Sequence, residues 1–517
     1  MGVLRASRLI PLALFAAALV VIAPWSNFPL NDDWVYARNA VASAEAGRLE
    51  ITFPQFAWAI PQTIIGALVG ASAKELHSEL RWVGILSLII SWALLFRIAP
   101  IERGDRIHDT SVATATLFLT PLFLVSLSFM SDTPFLACWI ASMSAWMAWS
   151  RRPTPVRLLV AIAVSSACLA QRQFGLLIPA AMGVVLTLEF LRGRTRRAAF
   201  RMLAPVPTLA VYALLHSWWK DHAPLASAPL DLTLSPVYVL GTAFASLSHL
   251  GMLGLPWIAA PLSPKSRKIL SDRRFQVLFG GFVLYSLGHQ LRSGSAFPYL
   301  SNQMSRFGFF GANEILYGDR LPIFGLPLEM VLTVVSLAGA LRLALGCLVW
   351  IREPGKSRAD QLVLVSGLAY FALSCFRATF FDRYALPLLP FALYCLTRSA
   401  DSSQIHRPAR IAGAAATAGL VLLSTTLVHD YFRWNESRWE AARFAVASGW
   451  PSKQIGAGYE YFGEVDASGA APSKDPRSYP VVVSFSRLPG FESIREFPYQ
   501  SAWHPRGASI HLLKRLD

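Results

Sequence analysis

The chain has 517 residues, 54% of them hydrophobic and 15% charged, with 47 Lys+Arg against 31 Asp+Glu and a formal net charge of +16. A mean hydropathy of +0.43, with far fewer charges than the roughly 25% of a soluble domain, excludes an ordinary soluble enzyme. The basic excess does not argue for nucleic acid, because it is spread over short loops and makes no basic, aromatic-bearing groove.

Apolar blocks recur along the chain, each about long enough to cross hydrocarbon, which takes roughly 17–25 helical residues. Spans are expected near 9–25, 83–99, 111–128, 134–150, 158–170, 174–191, 202–218, 237–262, 275–289, 328–351, 361–376, 384–397 and 411–428. The fold class that follows is an all-α polytopic membrane protein with about 13 transmembrane helices. The first block has the basic start of a signal peptide (Arg5, Arg8). However, Pro24, Trp25 and Phe28 stand where small residues would form a cleavage site, so it is read as the first span. With the N-terminus inside, the inner segments hold 23 Lys+Arg in 70 residues and the outer loops between spans hold 11 in 128. This positive-inside asymmetry sets the orientation. The densest inner cluster, Arg192, Arg194, Arg196, Arg197 and Arg201, suits anionic lipid headgroups. Cys138, Cys168, Cys347, Cys375 and Cys395 all fall in expected spans without metal-ligand spacing, and read as buried small hydrophobes.

Three outer segments exceed mere connectors. In the first, Ser26 to Trp82, Asn31-Asp32-Asp33-Trp34 opens a helix to about Ala46, with Asn31 or Asp32 able to cap it and Gly47 to end it. Trp34, Ala37, Val41 and Ala44 share one side, which suits an interfacial helix. A second stretch, Phe56 to Val69, is expected to be interfacial or re-entrant and broken by Pro61 and Gly66. The second segment, Gln290 to Pro327, is a long loop with few charges: Arg292, Arg306, Glu314, Asp319 and Arg320. The third is the tail from His429. Ser437–Trp450 reads as an amphipathic helix, and Gln454–Tyr461, Pro480–Phe485, Arg495–Trp503 and Ala508–Lys514 read as strands, with a loop over Asp466–Arg477. The expected division is a membrane domain over 1–428 and a small extracytoplasmic α/β domain over 429–517.

Soluble-enzyme motifs are absent, and the chemistry-bearing residues lie at the outer ends of spans. Asp32-Asp33 follows span 1; one carboxylate can serve as a general base, and the competing reading is a helix cap with dipole complementarity. Ser131-Asp132-Thr133-Pro134 lies between spans 3 and 4, where a helix start is the plainer reading. Gln171-Arg172-Gln173 turns between spans 5 and 6. The segment Arg377 to Tyr384, with Asp382-Arg383-Tyr384, lies between spans 11 and 12. Arginines here suit a phosphate, which a guanidinium grips at two oxygens; the alternatives are an Arg–Asp pair or snorkelling. Near the midplane, Arg342, Glu189 and His249 make poor candidates for a transport pathway.

Together these motifs resemble the membrane glycosyltransferases of the GT-C superfamily, in particular the protein O-mannosyltransferase and lipid A aminoarabinose transferase branch (family 39-like). The residues that carry the resemblance are Asn31-Asp32-Asp33-Trp34-Val35-Tyr36, Met130-Ser131-Asp132-Thr133-Pro134-Phe135, Cys168 to Gly175 around Gln171-Arg172-Gln173, and Arg383-Tyr384-Ala385-Leu386-Pro387-Leu388-Leu389-Pro390. The resemblance covers the chain from span 1 to about Arg410. It implies a polyprenyl-phosphate sugar donor and an envelope lipid, glycan or protein acceptor, with the active site facing the periplasm across a bacterial inner membrane. It further implies Asp32 or Asp33 as general base or as ligands of a divalent cation, with Asp132 beside them. Arg172 and Arg383 would hold the donor phosphate, and Tyr36, Gln171 and Tyr384 would contact substrate. The Asp32-Asp33 pair departs from the Asp-Glu of the mannosyltransferases, so substrate and metal requirement do not carry over. The alternative from a different class is a lipid or solute transporter, or a flippase, without chemistry.

Overall fold

Helices dominate, as the apolar blocks require. The computed structural model describes residues 2–53, 55, 57–70, 75–98, 105–193, 196–223, 232–292, 304–309, 316–377, 381–400, 405–466, 473–504 and 507–516. Much of the expected Gln290–Pro327 loop, including Glu314, and part of the Asp466–Arg477 loop lie outside them.

Among the described residues six helical stretches are long and apolar enough to cross a membrane: Leu76–Ile98, Gln173–Gly193, Ala199–His222, Pro236–Trp257, Leu326–Arg352 and Arg407–Ala447. Shorter apolar helices include Leu9–Ile22 and Pro155–Gln171. Two expected spans are broken. That over 111–128 is two helices, Arg106–Leu117 and Thr120–Val125. That over 384–397 begins as a 3-10 turn, Asp382–Leu388, before the Leu389–Ser399 helix. Pro121 and Pro387 lie at these interruptions. Residues 111–128 are buried throughout, and irregular backbone at membrane depth is tolerated where protein rather than lipid surrounds it.

The first outer segment forms the Asp33–Ala46 helix, ended by Gly47 at φ +62°. A left-handed residue at that position is what glycine supplies without a Cβ clash. The side expected to face the interface is covered by protein. Trp34 and Ala37 are buried, as are Tyr36, Asn39 and Ala40, because other elements cover the helix on several sides. The next helix, Ile60–Gly70, runs unbroken through Gly66, with Pro61 in its first turn.

The span expected over 411–428 and the amphipathic stretch after it are one helix, Arg407–Ala447, of 41 residues. At about 1.5 Å per residue it is roughly twice the length needed for the hydrocarbon core, so its C-terminal half stands clear. Against that half packs a four-stranded mixed sheet of order Ile455–Gly456, Val481–Ser484, Ala508–Arg515, Phe491–Tyr499. The first pair is parallel and the other two antiparallel. Three of the four expected strands are present. The fourth is only two residues long, and Tyr459–Val465 is a short helix. Its aromatic alternation mimics a strand, but Gly458 at φ +92° turns the chain, and tertiary contacts decide the rest.

Candidate active site

Asp132 begins the Asp132–Arg151 helix, and Ser131 in the cap position makes no side-chain cap bond. The Asp132 side chain is 1% exposed and bracketed by two guanidiniums, Arg172 Nη2 at 3.0 Å from Oδ1 and Arg383 Nε at 3.7 Å from Oδ2. Arg172 reaches it because the Pro155–Gln171 helix ends at Arg172, whose backbone is extended. The same guanidinium donates to Ser131 Oγ at 3.1 and 2.6 Å, and Ser131 donates to Tyr36 Oη at 3.1 Å. The helix-start reading of Ser131-Asp132-Thr133-Pro134 is right for the backbone. The carboxylate itself is spent on arginine, not on a cap.

The same holds at Asp32. It occupies the cap position of the Asp33–Ala46 helix without a side-chain cap bond. Asn31 ahead of it adopts φ +54°, a left-handed conformation that asparagine tolerates better than most residues. Asp32 Oδ2 accepts from Arg383 Nη2 at 3.0 Å, and Oδ1 accepts from the Tyr459 hydroxyl at 3.2 Å. Its side chain is 35% exposed, against 5% for Arg383. Arg383 therefore bridges two carboxylates drawn from segments a hundred residues apart. Burial works to lower the pKa of Arg172 and Arg383, but Asp132, joined by Asp32 at Arg383, more than offsets it and holds both higher than usual.

Asp33 has a different role. It is 1% exposed and faces neither solvent nor an arginine pair. It accepts from the Leu30 N–H at 2.6 Å and, weakly, from Phe129 N–H at 3.5 Å. Burial pushes its carboxyl up to about 7, against the pull of His77, Arg81 and these N–H groups. The adjacent acids thus have separate partners, and each Asp32 oxygen already has a donor. Among the described residues no group of three or more His, Cys, Asp or Glu could hold a metal ion.

Tyr384 is half-buried, with guanidiniums at 4.5 Å (Arg377), 5.7 Å (Arg383) and 6.0 Å (Arg172) from its ring centroid. Arg377 also lies over Phe174 at 5.8 Å. Among the described residues it pairs with no carboxylate. Arg377, Arg383 and Arg172 thus gather at Tyr384, the last two paired with Asp132 and Arg383 also with Asp32; Asp382, fully buried beside them, accepts from the Arg383 backbone N–H at 3.0 Å. Arg377 shares the segment of Arg383, but with no acidic motif beside it the sequence did not single it out. Gln171 is buried and donates to Gln62 Oε1 at 2.8 Å, and Gln62 in turn donates to the Phe129 carbonyl at 2.5 Å. Its side chain ties the Ile60–Gly70 helix to the arginine turn. Tyr36 meets Ser131 rather than the carboxylates, and burial lifts its phenol to about 12.

No family model matches this sequence, and no curated protein matches it. Among solved structures the chain is similar to ArnT from Cupriavidus metallidurans bound to undecaprenyl phosphate (TM-score 0.45, 12% identity, 97% of each chain covered). It is similar to the same protein in the apo state (TM-score 0.41, 13% identity, 97% of each chain). It is also similar to arabinosyltransferase EmbB from Mycobacterium smegmatis (TM-score 0.36, 14% identity, 84% of this chain and 42% of that chain).

Proposed function

We propose that the protein is a membrane glycosyltransferase. It moves a sugar from a polyprenyl-phosphate donor to an envelope lipid, glycan or protein acceptor on the periplasmic face of a bacterial inner membrane. One observation carries the reading: the chain of charges Asp32–Arg383–Asp132–Arg172, built from four separate segments, with the Arg377 guanidinium beside it over Tyr384.

A phosphodiester carries one negative charge, which clustered guanidiniums suit. Arg172 and Arg383, both held by Asp132, are the groups to grip it, joined by Arg377. Asp132 is the anchor of the two arginines and is too enclosed to meet an acceptor. Asp32 is the open carboxylate and hence the base. As the acceptor oxygen bonds to the anomeric carbon, the bond from that carbon to the phosphate oxygen breaks. The acceptor proton passes to Asp32, and the lipid phosphate leaves as an anion stabilised by the arginines. A phosphate leaving group needs no acid. Phosphate arriving at Arg383 competes with Asp32 for its N–H groups, which releases the carboxylate to accept a proton.

Against transport, His249 is fully buried and Arg342 donates to the Ala260 carbonyl, so neither marks an open midplane path. The test is sugar transfer in proteoliposomes from a short-chain polyprenyl-phosphate sugar to extracted envelope lipids, glycans and proteins, followed by mass spectrometry. Formation of free polyprenyl phosphate together with a glycosylated acceptor supports the reading. Movement of intact donor across the bilayer with no bond cleavage would replace it with the flippase.

A further inference from the structure

The Asp32 carboxylate owes one of its two hydrogen bonds to a residue more than four hundred positions away. Tyr459 opens the short Tyr459–Val465 helix, and its hydroxyl donates to Asp32 Oδ1 at 3.2 Å. Its ring meets Trp34 edge-on at 6.1 Å. Burial, and then the Asp32 carboxylate, raise the Tyr459 pKa far above its ordinary range, so the phenol stays protonated and can only donate to the acid.

The helix that carries Tyr459 is pinned along its length. Glu460 is fully buried, pairs with Arg438 at 2.8 Å and accepts from the Asn31 N–H at 3.1 Å. Glu464 meets His77 Nε2 at 2.6 Å, and its carbonyl accepts from Arg38 at 2.5 Å. Between them Gly463 lies flat on Trp34: a Cβ there would sit 2.3 Å from the indole. Breaking a buried pair such as Arg438–Glu460 leaves an uncompensated charge and is strongly destabilising. The backbone that carries the phenol is therefore fixed, and its ring rests against Trp34.

We propose that Tyr459 is a positioning residue for the transfer reaction, so that the C-terminal unit is part of the active site rather than an appended module. Tyr459 holds Asp32 Oδ1, so that when phosphate draws Arg383 from Oδ2 the carboxylate keeps its orientation and Oδ2 is open to take the acceptor proton. The inference rests on Asp32 being the base.

The test uses the full-length protein in proteoliposomes, with Tyr459→Phe, Gly463→Ala and Asp32→Asn measured side by side. Tyr459→Phe removes one hydrogen bond to a charged group and keeps the ring against Trp34. We expect kcat to fall about 10- to 100-fold, with the donor KM unchanged. Gly463→Ala pushes the helix off Trp34 and should lower kcat in the same direction. If Asp32→Asn abolishes turnover while Tyr459→Phe keeps wild-type kcat, the positioning role is wrong and the base assignment stands. A rise in donor KM with Tyr459→Phe would overturn the positioning role too, by assigning the phenol to donor binding. Wild-type turnover in both Asp32→Asn and Tyr459→Phe would overturn the positioning role and the base together.

Discussion

The segments expected on the two faces of the membrane both carry clusters of ion pairs, and the clusters differ in kind. On the inner segments Glu189 pairs with Arg358 and with Arg201 (3.8 Å). There too Arg398 pairs with Glu353 (3.1 Å) and Asp360 (3.5 Å), and Arg410 with Asp105 (2.6 Å). These side chains are 18–37% exposed. Water screens such pairs, and each is worth about 0–1 kcal/mol. On the outer segments Asp132, Arg383 and Arg172 are 1%, 5% and 13% exposed, and only Asp32 opens to solvent, at 35%. Taking charges out of water costs several kcal/mol per ion unless excellent geometry offsets it. Stability alone gives little reason to bury such a cluster with one carboxylate exposed. Chemistry on an anion gives one. The buried pairs Arg320–Asp430 and Arg438–Glu460 sharpen the point. They are closed, one charge against one, and they fasten the C-terminal unit.

Four substitutions, at three arginines, grade this contrast. The largest effect belongs to Arg383→Ala, which leaves both Asp32 and Asp132 short of a partner. Transfer should be lost and the thermal midpoint should drop. Arg383→Lys keeps the charge but loses the two-oxygen fork, and donor use should fall about 10- to 100-fold. Wild-type donor affinity in both variants would make Arg383 purely structural. Arg377→Gln removes a cation that pairs with no carboxylate among the described residues, so the donor KM should rise while stability holds. An unchanged KM would take Arg377 out of the phosphate site. The smallest effect belongs to the inner side. Arg358→Gln should change transfer not at all and stability by no more than about 1 kcal/mol, read as the thermal midpoint. A loss of turnover there comparable to that of Arg383→Lys would erase the distinction between the two faces.

Much of the outer cluster is visible in the sequence, because four polar turns interrupt apolar blocks and the charge asymmetry puts all four on one side. The sequence leaves open how each acid is used. Asp32 and Asp132 both stand where a helix begins, and nothing local distinguishes a cap from a partner of arginine; only the long-range contacts to Arg383 and Arg172 do. Asp32 and Asp33 are equivalent in composition. They separate because Asp33 turns inward to the Leu30 and Phe129 N–H groups. The drop in hydropathy at His429 marks where the chain leaves the apolar region, not where the helix ends. Tyr459 was out of reach: it falls in a stretch whose aromatic alternation mimics a strand, and its meeting with Asp32 depends on the Arg438–Glu460 pair and the Gly463 contact.

The central claim is that Asp32 removes the acceptor proton while Asp33 holds the backbone. Single-turnover transfer by Asp32→Asn and Asp33→Asn, with donor binding measured alongside, tests it most directly. Neither carboxylate makes a cap bond that asparagine would have to replace, so the Asp33–Ala46 helix should survive both changes. Asp32→Asn should bind donor normally and lose about 10²–10⁴ in rate, while Asp33→Asn should retain most of its turnover. Near-wild-type turnover in Asp32→Asn, or a collapse confined to Asp33→Asn, would contradict the assignment.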